Sequence, residues 1–124
     1  MTPPDREVRS DGSLPVIACE LTALTEAQRR RRAELVEILR GEVHEVTELP
    51  SGYAYHLDRD PSTVQKVDEL ISLERLCCTF LTLSTRIDVA TDRLVLEIGG
   101  GPGVREFVAA QFGIGSSLSP REGS

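Results

Sequence analysis

Apolar residues recur along this chain in two rhythms, the two-residue step of a strand and the three-and-four step of a helix. Val16 to Leu21 reads as a first strand, with Ile17, Cys19 and Leu21 on one face and Val16, Ala18 and Glu20 on the other. Thr25 stands where a helix N-cap would, and Gln28 completes a capping box. The helix it opens runs to about Arg40, with Ala27, Leu35, Ile38 and Leu39 on its apolar arc and Gly41 as its stop. Val43–Leu49 and Tyr53–Leu57 read as two strands joined through Pro50-Ser51-Gly52, where proline presets φ and glycine accepts a positive one. Tyr53, Tyr55 and Leu57 share one face of that hairpin, and Ala54 and His56 share the other.

Asp60 followed by Pro61 opens a second helix as N-cap and first helical residue. Its pattern carries it to Phe80 or Leu81. Leu83, Thr85, Ile87 and Val89 then alternate with polar residues as a half-buried strand. A turn over Ala90–Arg93 returns the chain through Leu94, Leu96 and Ile98. Gly99 to Gly103 breaks the pattern, and Val104, Phe107, Val108 and Phe112 recur at helical spacing. The predicted order is β-α-β-β-α-β-β-α. It implies an α+β fold, an antiparallel sheet with helices on one face, ferredoxin-like with additions. A single domain is expected over 16–112, between a polar, proline-bearing segment at 1–15 and a Gly/Ser/Pro tail at 113–124, both expected to be disordered.

The second helix holds the anomaly. At about 100° per residue, Val67, Leu70, Ile71, Cys77, Cys78 and Leu81 fall on one arc, and Asp68, Ser72, Arg75 and Thr79 face away. Glu74 lies near the middle of the apolar arc. Its position, three and four residues before two thiols, puts all three side chains on one helix surface. A buried carboxylate is costly unless it is paired. The run Arg29–Arg32 supplies a candidate partner, and spacing from Ala27 and Leu35 selects Arg31 as the residue that turns inward to meet Glu74.

Composition narrows the chemistry. The 124 residues carry a formal net charge of -6 and no tryptophan, which argues against a nucleic-acid partner. No stretch approaches a membrane span. Val16-Ile17-Ala18-Cys19 lacks the apolar core of a lipoprotein signal, so a cytoplasmic protein is expected. In a reducing compartment, three cysteines point to free thiols, metal ligands or redox groups more than to a disulfide framework. Cys19, on the strand face that should meet the helices, is the candidate third thiol beside Cys77 and Cys78.

Soft thiolates suit Zn(II), Cu(I) and, by the same softness, Hg(II) or As(III). Glu74 would be a hard fourth ligand or the acceptor of a thiol proton. Each cysteine alone also fits a small core hydrophobe. His44 and His56 belong to no ligand spacing and read as surface or cross-strand residues. The glycine stretch lacks the Gly-Lys-Ser/Thr ending of a phosphate loop and reads as a connector.

These residues together resemble a small family of bacterial proteins. Its hallmarks are an Ala-Cys pair on an early strand, a Gly-Tyr-Ala-aromatic strand, a helix ending Glu-Arg-x-Cys-Cys-Pro-Phe-Leu, and a Gly-Pro-x-Gly-Val-x-x-Phe segment. Here they read Ala18-Cys19, Gly52-Tyr53-Ala54-Tyr55, Glu74-Arg75-Leu76-Cys77-Cys78-Thr79-Phe80-Leu81 and Gly101-Pro102-Gly103-Val104-Arg105-Glu106-Phe107. Thr79 departs from the pattern's proline, which would let the helix continue past Cys78. The resemblance implies an association with heavy-metal resistance.

The leading expectation is a soft-metal or metalloid binding protein with Cys77 and Cys78 as principal ligands, completed by Cys19 and Glu74. Its partner would be a metal ion or a small thiol-reactive ligand, and a homo-oligomer is compatible. The rivals are a thiol-redox enzyme or sensor with one activated cysteine, and a structural or interaction protein whose cysteines are core.

Overall fold

A computed structural model describes residues 19–112. The segments expected to be disordered, and Val16, Ile17 and Ala18 of the expected first strand, lie outside the described residues. Leu21–Ala23 form a short 3-10 turn. They are followed by helix α1 (Glu26–Arg40), strands β1 (Val43–Leu49) and β2 (Gly52–Leu57), helix α2 (Pro61–Cys77), strands β3 (Leu81–Asp88) and β4 (Arg93–Gly100), and helix α3 (Val104–Phe112). The strands form one antiparallel sheet in the order β1-β2-β4-β3.

The α+β class is therefore observed, with a layout that is not clearly ferredoxin-like. That topology places the strand preceding the first helix in the sheet interior. Here the interior positions belong to β2 and β4, the second strand of each hairpin, and among the described residues none before α1 joins the sheet. Leu21, expected in a strand, instead lies in the 3-10 turn and is exposed.

Local chemistry sets the helix starts. The Thr25 hydroxyl accepts from the Gln28 amide while the Gln28 side chain accepts from the Thr25 amide, a complete capping box. The Asp60 carboxylate accepts from the Thr63 amide, with Pro61 as the first helical residue. At the first hairpin, Gly52 meets the second: a Cβ there would lie 2.0 Å from the Ile98 carbonyl oxygen, so only glycine allows β2 and β4 to pair this closely.

Tyr53, Tyr55 and Leu57 face Ile98, Leu96 and Leu94 across the central pair, and this face packs with the helices into one core. α1 contributes Leu35 and Leu39, α2 contributes Val67, Leu70 and Leu73, and α3 contributes Val104, Val108 and Phe112. Phe107 meets Phe80 edge-on, with ring centroids 5.0 Å apart. The opposite sheet face carries Thr47, His56, Ser84, Arg86 and Glu97. Gly99 and Gly100 finish β4, so the glycine connector begins two residues later than the sequence pattern indicated. No helix among the described residues is long and apolar enough to cross a membrane.

The phase of α1 and the end of α2 differ from expectation, and both bear on the site. In α1 the buried line is Arg32, Leu35 and Leu39, whereas Ala27 and Ile38 are exposed. In α2 the periodicity held through Glu74 and Cys77, but the helix ends at Cys77, not at Phe80 or Leu81. Cys78 leaves helical geometry at φ -126 and ψ 66, and the chain turns through Thr79 and Phe80 into β3. Threonine at position 79 does not prolong the helix.

Candidate metal and thiol centre

The site forms where three segments meet at the C-terminal end of α2. The segment before α1 brings Cys19. Its placement is fixed by the Glu20 amide donating to the Cys77 carbonyl at 2.6 Å and by Arg29, whose guanidinium donates to the Leu21 and Leu24 carbonyls at 3.2 and 2.8 Å. α1 brings Arg32 and α2 brings Glu74 and Cys77. Cys78 follows as the first residue past the helix, its amide donating to the Glu74 carbonyl at 2.6 Å. The end of the helix at this point matters chemically. Neighbouring side chains within a helix diverge by about 100°, and the break lets the Cys77 and Cys78 sulfurs lie 3.4 Å apart.

Cys19 and Cys78 are joined as a disulfide across a sequence separation of 59, with Cα atoms 4.6 Å apart. The sequence favours free thiols, metal ligands or redox groups over a disulfide framework; in the structure two of the three cysteines are bonded to each other. Cys19 lies outside any regular element and Cys78 sits just past one, so both backbones can take up the spacing a disulfide requires. Cys77 is the free thiol, and it is buried.

Glu74 is 1% exposed, and its Oε2 accepts from Arg32 Nε at 2.5 Å. Arg32 is 8% exposed, and its other arm points Nη2 at the Cys19 sulfur, 3.8 Å away. The inward arginine is thus Arg32, not Arg31. Arg31 lies one residue off the buried line and makes a bidentate pair with Glu69 at 2.9 and 3.0 Å on the outer side of the α1–α2 contact. The signal for Arg32 was present in the sequence: Arg32, Leu35 and Leu39 follow the i, i+3, i+7 spacing of one helix stripe. Ala27 and Ile38 drew the stripe to the wrong phase. Neither Arg32 nor Glu69 was among the expected site residues.

Burial pushes the Glu74 carboxyl above its ordinary range, and Arg32 only partly offsets that. Burial also pushes the Cys77 thiol up, the Glu74 charge adds to it, and Arg32 opposes. The Glu74 Oε1 atom is buried with no hydrogen-bond partner among the described residues. An unmatched acceptor beside three sulfurs is the kind of atom a cation or a proton donor would satisfy. One ligand atom from each of Cys19, Glu74, Cys77 and Cys78 lies within 4.8 Å of the others. The four residues expected at the site are together, and the cluster could hold a metal once its sulfurs are reduced.

A second acidic group, Glu42, Asp58 and Asp60, is also close-set. Asp58 is already matched by His44 and Arg93, and Asp60 by its capping role, so this group reads as local structure. His56 bonds Thr47 at 3.0 Å, a cross-strand contact of the hairpin. No family model, curated protein or solved structure matches the chain.

Proposed function

We propose that this is a cytoplasmic soft-metal or metalloid binding protein, associated with heavy-metal resistance, whose reduced form takes the ion at Cys19, Cys77, Cys78 and Glu74. One observation carries this reading: donors from separate segments converge within 4.8 Å in a buried site. Packing alone gives no reason to bury Glu74 with one oxygen unpartnered. The disulfide is the oxidised form, in which two of the sulfurs are unavailable as thiolate ligands. Reduced protein titrated with Zn(II), Cu(I) and Hg(II) should bind one ion per chain. The Cys77→Ser, Cys78→Ser double variant should lose it. Stoichiometric binding that persists in the double variant would remove the ligand set.

A second reading has its own observation. The free Cys77 sulfur is 3.4 Å from Cys78, which is already bonded to Cys19. A Cys77 thiolate attacking Cys78 would form a Cys77–Cys78 bond and break the Cys19–Cys78 bond. Cys19 would leave as a thiolate beside the Arg32 guanidinium, so the step needs no external oxidant. Disulfide mapping of the oxidised protein under native conditions tests this. A fraction linked through Cys77 is expected if exchange operates, and Cys19–Cys78 as the sole linkage would count against it.

A further inference from the structure

Resting on the metal-binding reading, the charge balance of the site narrows the ion it takes. We propose that the reduced site selects a trivalent metalloid of the arsenite class, held as a neutral tris-thiolate by Cys19, Cys77 and Cys78. Ligand cysteines bind deprotonated, so three of them bring three negative charges into a buried site. The fixed groups there are Glu74 from α2 and Arg32 from α1, joined by a hydrogen-bonded ion pair that sums to zero. Of the other nearby cations, Arg31 pairs with Glu69, and Arg29 and Arg75 are exposed, where water and salt screen their charge. Three thiolates beside a neutral pair are balanced by a trivalent centre. A divalent ion leaves the buried site with one uncompensated negative charge, and a monovalent ion leaves two. Uncompensated buried charge is among the most unfavourable states a protein interior can hold.

A three-coordinate pyramidal centre, whose lone pair takes the fourth direction, is satisfied by the three cysteines and needs no carboxylate bonded to it. Glu74 stays ionised beside it, held by Arg32 as a positioning pair.

The chemistry balances in two steps. An external dithiol reduces the Cys19–Cys78 bond with two electrons, becoming a disulfide itself. The trihydroxide of the metalloid then condenses with the three thiols: three sulfur–metalloid bonds form, three metalloid–oxygen bonds break, and three waters leave. No electron changes hands in this second step.

Arsenite and cadmium(II) are the probes, added singly and in competition to the full chain after reduction and removal of the reductant. Native mass spectrometry should show arsenite adding one arsenic with loss of three hydrogens. All three cysteines should then resist alkylation, and arsenite should displace cadmium(II). Glu74→Gln is nearly isosteric and keeps the Arg32 contact while removing one negative charge. It leaves a site balanced by a divalent ion, so the arsenite-to-cadmium affinity ratio should fall at least roughly tenfold, equivalent to about 1.4 kcal/mol. Protection of only two cysteines, retention of cadmium(II) against arsenite, or a ratio that is unchanged or rises in Glu74→Gln overturns the trivalent assignment while leaving soft-ion binding intact. Binding of neither probe, nor of Hg(II), overturns both.

Discussion

Arg32 and Glu74 form the one ion pair among the described residues with both side chains almost wholly out of water, and its energetics differ from those of the surface pairs. Removing one partner leaves the other charged and desolvated, a loss of about 3–5 kcal/mol, whereas replacing both with apolar residues of similar volume is often neutral. Arg32→Met should therefore destabilise the protein strongly in urea denaturation. Arg32→Met combined with Glu74→Leu should recover most of the loss. Arg31→Ala, which breaks an exposed pair with Glu69, should have a far smaller effect. Equal losses for Arg31→Ala and Arg32→Met would mean that burial is not what sets the Arg32–Glu74 pair apart.

With the disulfide closed, Cys77 is the single free thiol of the chain and can be followed without ambiguity. Burial and the Glu74 charge raise its folded-state pKa above the unfolded value. As pH rises through the ordinary thiol range, the unfolded chain loses this proton first. Stability should then fall across the window between the ordinary and raised values, because the folded state holds more protons. Cys77→Ala should flatten that slope at alkaline pH. Alkylation of native Cys77 should be slow, with a pH midpoint displaced upward from that of a free thiol. A midpoint below it would contradict the site's electrostatics.

Among the elements, the junction between the segment before α1 and the end of α2 is held by one covalent bond and by the backbone hydrogen bond from the Glu20 amide to the Cys77 carbonyl. A crosslink with a sequence separation of 59 restricts the unfolded chain by about 4 kcal/mol in the chain-entropy account. Cys19→Ser should lower stability by up to that amount under oxidising conditions. In reducing buffer, the variant and the parent protein should nearly converge. A persistent gap there would mean that the Cys19 side chain contributes through packing instead.

The same junction shows which parts of the elements were legible in the sequence. Both helix starts were readable, because a capping box and an Asp-Pro pair work within a few residues. The first hairpin was readable in place from Pro50-Ser51-Gly52, although Gly52 takes no positive φ and instead permits the close approach of Ile98; the inward position of Glu74 was readable from helical phase alone. The phase of α1 was marked by Leu35 and Leu39, but Ala27 and Ile38 pull it off line and residues 28–34, six polar side chains and one alanine, offer nothing bulky to correct it. The end of α2 at Cys77 and the turn over Leu21–Ala23 depend on contacts between distant segments, and so does the disulfide. The cysteine–carboxylate cluster could thus be read from the sequence, but not the bond already present within it, nor the arginine that neutralises its carboxylate.

At the scale of the whole molecule, the proposed ion capture would be coupled to fold stability. The site ties together the segment before α1, α1 and α2, and a ligand bound only by the folded state adds to stability as its concentration rises above Kd, by about 2.7 kcal/mol at a hundredfold excess. Reduced protein should melt at a lower temperature than oxidised protein, and a captured ion should restore part of the difference. A melting temperature unmoved by saturating ion would show that the site does not bridge these elements. None of the four clustered donors lies in the sheet. Its role is to present one apolar face, built from β2 and β4, against which α2 takes a fixed rotation.

That rotation makes α2 a measuring rod. Thr63, Val67, Leu70, Glu74 and Cys77 follow one another at intervals of three and four residues along the same buried row. Inserting or deleting one residue between Thr63 and Leu70 would swing everything beyond it by about 100°, setting the hydrophobic anchors and the carboxylate–thiol group against each other. Both could not face inward at once. The turn around Val89, which is 89% exposed, has no such accounting to keep. Descendants of this chain are free to lengthen at Val89–Asp92, but those that retain the chemistry must keep the distance from Thr63 to Cys77 to the residue.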